Sequence, residues 1–483
     1  MSILNKLEPK PVWRHFEALT KIPHTSKNEA QVAAYVMEKA RAEGLDVKRD
    51  AVGNVLVTKP ATPGREKVPV MILQSHLDMV GVRATGSSHD FQKDPLEVKI
   101  EDGYVRAVGT TLGADNGIGV AFMLAIMESS DLEHGALEFL FTIDEEAGMT
   151  GAHGLDPNFV SGQRLLNLDT EEWGAYYISC AGGGDSIVRL PLEREGVKGG
   201  TYLELAIHGL LGGHSGADIN LGHGSANKIL GRFLNAARAA GSIRIAEISG
   251  GSKRNSIAAE ARAVLWTGDN KAAVMTAMEA VGKVVAEELA KVDGGFRFSL
   301  TETDDVAMPP TVPAVTDAII DLLVALPHGV QAMSTEVDGL VETSTNLGVI
   351  GIEGDKFVIS MLNRSAVDSM IDVVKAQIRT IARLAGASVE EPRGYPGWKP
   401  NKDSFLLKKA SAVYQEIHGR EPVIRAIHAG LECGIFSKKL PHVDMLSLGP
   451  EIHGAHSIAE EVEIDSVEKT WVLVTGILAA LKD

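Results

Sequence analysis

Three short, nearly unbroken apolar runs constrain this chain more than anything else in it: VPVMIL at 68–73, ALEFLFTI at 136–143 and RLLNL at 164–168. A strand that is apolar on both faces needs cover on both. A parallel sheet sandwiched between helices meets that condition. Helical patterning fills the intervals. Residues 10–45 read as helices, with NEAQVAAYVMEKARAEG stopping at Gly44, and GADNGIGVAFMLAIMES reads as a loop running into a helix. The alternation predicts an α/β domain with a mainly parallel central sheet flanked by helices.

Near residue 184 the pattern changes. TYLELAIHGL alternates as a strand buried on one face. After it come a helix (HGSANKILGRFLNAARAA), two strands (IRIAEISGG, ARAVLWTG) and a long helix (KAAVMTAMEAVGKVVAEELAKV). KFVISMLNRS, VDSMIDVVKAQIRTIARLAG and ASVEE repeat the strand–helix–strand shape without repeating its residues. The turn-rich GYPGWKPNKD, residues 394–403, reads as a linker back to a closing helix, strand and helix. The expected division is a discontinuous first domain, 1–183 with 397–483, and an α+β insert, 184–396.

Each apolar run ends in chemistry. His76 and Asp78 follow the first, Asp144, Glu145 and Glu146 the second, and Asp169 the third; Asp115 sits in TLGADNGIG, and His453 and His456 in the late IHGAHS. Ligands of parallel α/β sheets gather outside the carboxyl ends of the strands. So many acids at one sheet edge repel one another unless a cation offsets them. Imidazole with carboxylate suits zinc, with manganese or cobalt as alternatives, and a pair of such ions needs a shared carboxylate. A lone His after a strand, or adjacent acids before a helix, would ordinarily be structural. The argument lies in four strand or loop ends and one late loop offering compatible ligands together.

Other classes are excluded on composition. A net charge of −17 opposes a nucleic-acid partner, which needs clustered Lys and Arg. No apolar stretch is long enough to span a membrane. The amino terminus lacks a signal-peptide pattern. Two cysteines in 483 residues make no disulfide framework, and a cytoplasmic protein is expected. AGGGD at 181–185 lacks the Lys and Ser/Thr of a phosphate loop, and neither a G-x-S-x-G elbow nor a catalytic Cys signature is present.

The ordered set QSHLDMV, GADNGIG, DEEAGMTGA, LNLD, GGHSGADI and HGAHS resembles the dinuclear-zinc metallopeptidases of the carboxypeptidase G and aminoacylase type, over nearly the whole chain. The resemblance implies a zinc-exopeptidase-like catalytic domain, an insert acting as a lid, and a homodimer. It implies two divalent ions: His76 and Asp169 on one, Glu146 and His456 on the other, and Asp115 bridging them beside a cis peptide bond to Asn116. His456 is followed by SIAEE, a partial match to the family's Ser/Thr-Pro-Asp-Glu with Ile for Pro and Ala for Asp; the spacing favours His456, with His453 as the alternative. Glu145 would be the general base, and Asp78 would hold the His76 ring. His214 would stabilise the tetrahedral intermediate, Asn255 would touch substrate, and Arg364 would grip its terminal carboxylate. The implied reaction is hydrolysis of unblocked dipeptides, including Xaa-His such as β-alanyl-histidine. A tripeptidase or N-acyl amino acid deacylase is the alternative on the same metals, and a silent scaffold would require a missing ligand or base.

Overall fold

The computed structural model describes residues 3–337 and 339–482. The chain separates into two compact units. One runs to Ser179, resumes over Pro400–Ala426 and continues from Leu431; the other comprises Cys180–Lys399 and Ile427–Gly430. The breaks fall at 179/180 and 399/400 rather than at 183/184 and 396/397. Residues 427–430, expected in the first domain, cluster with the second.

The first unit is built on an eight-stranded sheet among the described residues. Its order is Asp46–Arg49, Val55–Lys59, Leu137–Thr142, Met71–His76, Arg164–Asn167, Asp444–Ser447, Ala175–Cys180, Val423–Ile427. The four central strands are parallel to one another, and they include the three apolar runs. Every residue of Met71–His76 and of Leu137–Thr142 is buried, as strands covered on both faces must be. The sheet as a whole is mixed, because Val55–Lys59 and Ala175–Cys180 join the parallel centre antiparallel.

The helix Ala114–Glu128 is buried on nearly all sides, so its apolar residues fit no single stripe. Trp13 and Phe16 from Lys10–Leu19, and Leu473, Val474 and Ile477 from Ile464–Ala480, share its core. A small antiparallel sheet, Ile452–His453, Glu461–Glu463, Tyr104–Ala107 and Val98–Glu101, makes residues 454–460 the loop of a hairpin. No described helix is long and apolar enough to cross a membrane.

The second unit is an antiparallel sheet in the order Arg297–Glu302, Thr201–His208, Ala261–Thr267, Ile243–Gly250, Val341–Glu353, Lys356–Ser365, Gly182–Pro191, Ser388–Glu390, with Gly329–Met333 also on Val341–Glu353. Alternate residues of Thr201–His208 are buried, and the helices Ala226–Ala240, Lys271–Leu289, Pro313–Ala325 and Asp368–Leu384 contribute to the same core. The start of the expected linker is strapped down. Tyr395 exchanges backbone hydrogen bonds with Gly183, and Trp398 with Cys180. The glycines of AGGGD permit this: a Cβ on Gly182 would lie 2.5 Å from the Gly397 nitrogen, and one on Gly183 2.6 Å from the Tyr395 ring. These glycines therefore form a strand with a closely packed neighbour.

Candidate metal centre

Parallel register carries the ligands to one edge. His76 lies opposite Thr142, and Gln74 opposite Asn167. The residues two beyond those partners are Asp144 and Asp169, so the acids of the second and third runs emerge beside His76. Asp144 takes a left-handed conformation (φ 54°), which aspartate tolerates, and turns the strand into the short helix Glu145–Gly148. Glu29 accepts the Asp144 N–H (3.0 Å), and Thr150 donates its hydroxyl to the Asp144 carboxylate. The three adjacent acids are thus separated in role by backbone geometry.

Two donor groups form. His76, Asp115 and Asp169 offer ligand atoms within 4.8 Å of one another, as do Asp115, Glu146 and His456, with Asp115 common to both. His76 Nε2 lies 3.3 Å from Asp115 Oδ1 and 3.2 Å from Asp169 Oδ1. His456 Nε2 lies 3.1 Å from Asp115 Oδ2 and 2.8 Å from Glu146 Oε2. One ring N–H cannot serve two oxygens well, and each nitrogen meets carboxylates from different segments. Convergent imidazole nitrogens and carboxylate oxygens are a donor set that suits a divalent transition metal. The Asp115–Asn116 peptide bond is cis.

The electrostatics reflect crowding. Burial opposes charge on His76, but Asp169, Asp115 and Asp78 hold its pKa well above the usual imidazole range. Hydrogen bonds donated to the Asp115 and Glu146 carboxylates raise that of His456 to about 11. Burial lifts Asp169 to about 6 and holds Glu145 well above the carboxylate range; Asp169, Glu432 and Glu146 add to the shift at Glu145. Burial would also raise Asp78, but His76 and the hydrogen bonds it accepts bring it down to about 2.

Asp78 does more than the sequence indicated. Its carboxylate accepts the N–H groups of Glu145 (2.9 Å) and Glu146 (3.2 Å) and the Ser26 hydroxyl (2.8 Å). The acceptor nearest His76 Nδ1 is the Asp78 backbone carbonyl at 3.0 Å, with the carboxylate at 3.5 Å. His453 stays outside the cluster; its ring is half exposed and 3.6 Å from Glu451.

Sequence reasoning missed the residues behind the ligands. Glu460 accepts backbone N–H groups from the turn that carries Asp115. Glu432, fully buried, accepts from Gln74 (2.6 Å) and Thr142 (2.7 Å), and Asn167 donates to Gln74 (2.6 Å). Burial lifts the Glu432 pKa to about 8. The available signal was a polar residue within or directly after each apolar run (Gln74, Thr142, Asn167), two positions ahead of an acid or a His.

In the second unit, His214 and Arg364 come together. His214 Nδ1 accepts from the Gly216 (3.3 Å) and Ala217 (3.1 Å) nitrogens, so the hydrogen-bond network assigns the ring proton to Nε2. That N–H lies 3.4 Å from Arg364 Nη2, which is also a donor. Burial and then Arg364 lower the His214 pKa, keeping the ring neutral. Tyr395 Oη accepts from Arg364 Nη1 at 3.2 Å, in the space left by Gly183. Two donors converging without an acceptor between them suit an anionic oxygen. Asn255 is exposed, and its backbone carbonyl accepts the Ser215 N–H (2.9 Å). His428, unremarked in the sequence, is buried with Nε2 2.7 Å from Ser344 Oγ.

A parallel-centred α/β unit with overlapping His/Asp/Glu groups at its strand ends defines a two-metal hydrolase class. The chain belongs to peptidase family M20/M25/M40, whose model matches residues 72–480. It is 41% identical over 482 residues, 99% of each chain, to a cytosol non-specific dipeptidase of Escherichia coli strain K12. It superposes on the crystal structure of an aminoacylhistidine dipeptidase from Vibrio alginolyticus with a TM-score of 0.93 at 41% identity, covering 99% of this chain and 98% of that one. An aminopeptidase PepT structure from Bacillus cereus shares the fold at 16% identity, with a TM-score of 0.58 over 99% of this chain and all of the other.

Proposed function

We propose that this protein is a metal-dependent dipeptidase acting on unblocked dipeptides, Xaa-His such as β-alanyl-histidine included. The observation that carries the reading is the pair of donor groups sharing Asp115, with Glu145 beside them, in a chain alike end to end to dipeptidases. His76, Asp115 and Asp169 would hold one divalent ion, and Asp115, Glu146 and His456 a second. Zinc fits this donor set, with cobalt or manganese as alternatives. When bound, the ions supply electrophilic activation of the scissile carbonyl and of water.

The chain's own residues do the rest. Glu145 takes a proton from the attacking water and returns it to the leaving amine. Asp78 fixes Glu145 and Glu146 through their backbone N–H groups. His214 and Arg364 supply donors to the anionic oxygens of the peptide and of the tetrahedral intermediate; Asn255 is a further substrate contact. The second unit is the lid, the assembly a homodimer, and the compartment the cytoplasm, as the name of the Escherichia coli relative also has it.

Histidine release from β-alanyl-histidine by metal-loaded and chelated protein tests the reading. Metal-dependent release is expected. Inactivity on dipeptides with turnover of tripeptides or N-acyl amino acids would overturn it in favour of those activities.

A further inference from the structure

One enclosed carboxylate beside the metal centre has no part in the chemistry above. Glu460 is 3% exposed. Its Oε2 accepts the N–H groups of Leu112 (2.8 Å) and Gly113 (3.1 Å), and its Oε1 those of Ala114 (2.8 Å) and Asp115 (3.3 Å). The turn that presents these four donors departs from helical geometry. Gly113 is left-handed (φ 70°), and Asp115 has φ −83° and ψ 107°. The N–H groups therefore converge on one point, and a carboxylate has the lone pairs to accept all four. An uncharged side chain of the same shape cannot.

Glu460 also lies four residues after His456, in the same hairpin loop between Ile452–His453 and Glu461–Glu463. That hairpin is fixed through Glu461–Glu463 to Tyr104–Ala107. A single side chain thus ties the loop carrying one ligand of the second group to the turn carrying the ligand common to both groups. We infer that Glu460 is a positioning residue of the metal centre: it sets the backbone from which Asp115 reaches both ions and holds the His456 loop against it. The inference rests on the metal-centre half of the proposed function, not on the identity of the substrate.

Glu460→Gln and Glu460→Asp test it. The first keeps the shape but sets an amide N–H₂ against backbone donors; the second keeps the charge but is one methylene short. Zinc affinity is measured by competition with a chromophoric chelator, geometry by the visible spectrum of the cobalt-loaded protein, and folding by circular dichroism of the metal-free protein. Both variants are expected to fold and to bind both ions about 10–100-fold more weakly, in parallel, as loss of an outer support does. Their cobalt spectra should be altered, and kcat at saturating metal should fall with KM within about twofold of wild type. His456→Ala, by contrast, should weaken one ion far more than the other. Folded variants with wild-type affinities and spectrum would overturn the inference, as would weakening of one ion alone. Failure of both variants to fold even with excess zinc would make Glu460 a determinant of folding and overturn it too. Wild-type protein that binds two ions yet leaves dipeptides intact would refute the proposed substrate and leave the role of Glu460 standing.

Discussion

Replacing Asp78 by Asn should separate stability from chemistry at this centre. The carboxylate serves Glu145 N–H through Oδ1, and Glu146 N–H and the Ser26 hydroxyl through Oδ2. Ser26 can turn its proton away, but the two backbone groups cannot. One amide oxygen can satisfy one of them; the other is left facing an N–H₂. A hydrogen bond to a charged acceptor contributes about 1.5–3 kcal/mol, and an unpaired buried N–H costs about 1–3 kcal/mol. These overlap for one lost bond, so the expected destabilisation of the metal-free protein is about 1.5–3 kcal/mol. The His76 ring keeps its nearer acceptor, the Asp78 backbone carbonyl at 3.0 Å. Metal affinity should therefore fall toward the lower end of the roughly 10–100-fold range for outer-support residues. Urea unfolding of the metal-free protein gives the first quantity and chelator competition the second. Stability within about 0.5 kcal/mol of wild type, a change ordinary for a surface substitution, would refute the role given to this carboxylate.

Other substitutions probe separate parts of the account. Glu145→Gln should keep both ions and the fold while kcat falls by about 10²–10⁴, measured by histidine release alongside metal analysis. Arg364→Ala should raise KM far more than it lowers kcat, because its guanidinium is given a binding role; an unchanged KM in steady-state assays would remove it. Lys59 donates to the carbonyls of Ile126 (2.7 Å), Met127 (3.0 Å) and Ser129 (2.6 Å) at the end of the buried helix. Lys59→Met should cost about 1–3 kcal/mol in urea unfolding, with metal affinity unchanged. His328 accepts the Leu347 N–H through Nδ1, and burial lowers its pKa from 6.5 to about 4. It stays neutral in the fold while the unfolded chain takes a proton. Its contribution to stability is therefore full above pH 6.5, declines as pH falls toward 4, and is flat below. His328→Asn should reduce the acid-side slope of urea midpoints by up to one proton.

Most of the candidate ligands were legible because they sit where a local pattern changes. His76, Asp169 and the Asp144–Glu146 run all follow an apolar strand, and parallel pairing does the assembling. Asp115 and His456 follow no such run; they stood out as candidates by residue type, and only the motif resemblance gave Asp115 its bridging role and preferred His456 to His453. What holds the ligands was not legible. Glu460 meets backbone N–H groups 345–348 positions away, and Glu432 meets Gln74 across 358. No local periodicity encodes a partner at that distance, and backbone donors carry no residue identity at all. The antiparallel flanks of the first sheet were hidden for a related reason, because strand propensity does not state direction. Residues 394–398 read as a linker from their Pro and Gly content. In the fold those small residues serve close approach to Gly182 and Gly183.

The central claim is a two-ion centre that performs dipeptide hydrolysis. Metal-free protein titrated with zinc, with β-alanyl-histidine hydrolysis followed at each addition, tests it most directly. The account predicts no turnover at the start, activity rising until two equivalents per chain are bound, and loss of one of the two equivalents on His456→Ala. Full activity in the chelated protein, or saturation of binding at a single equivalent, would contradict it.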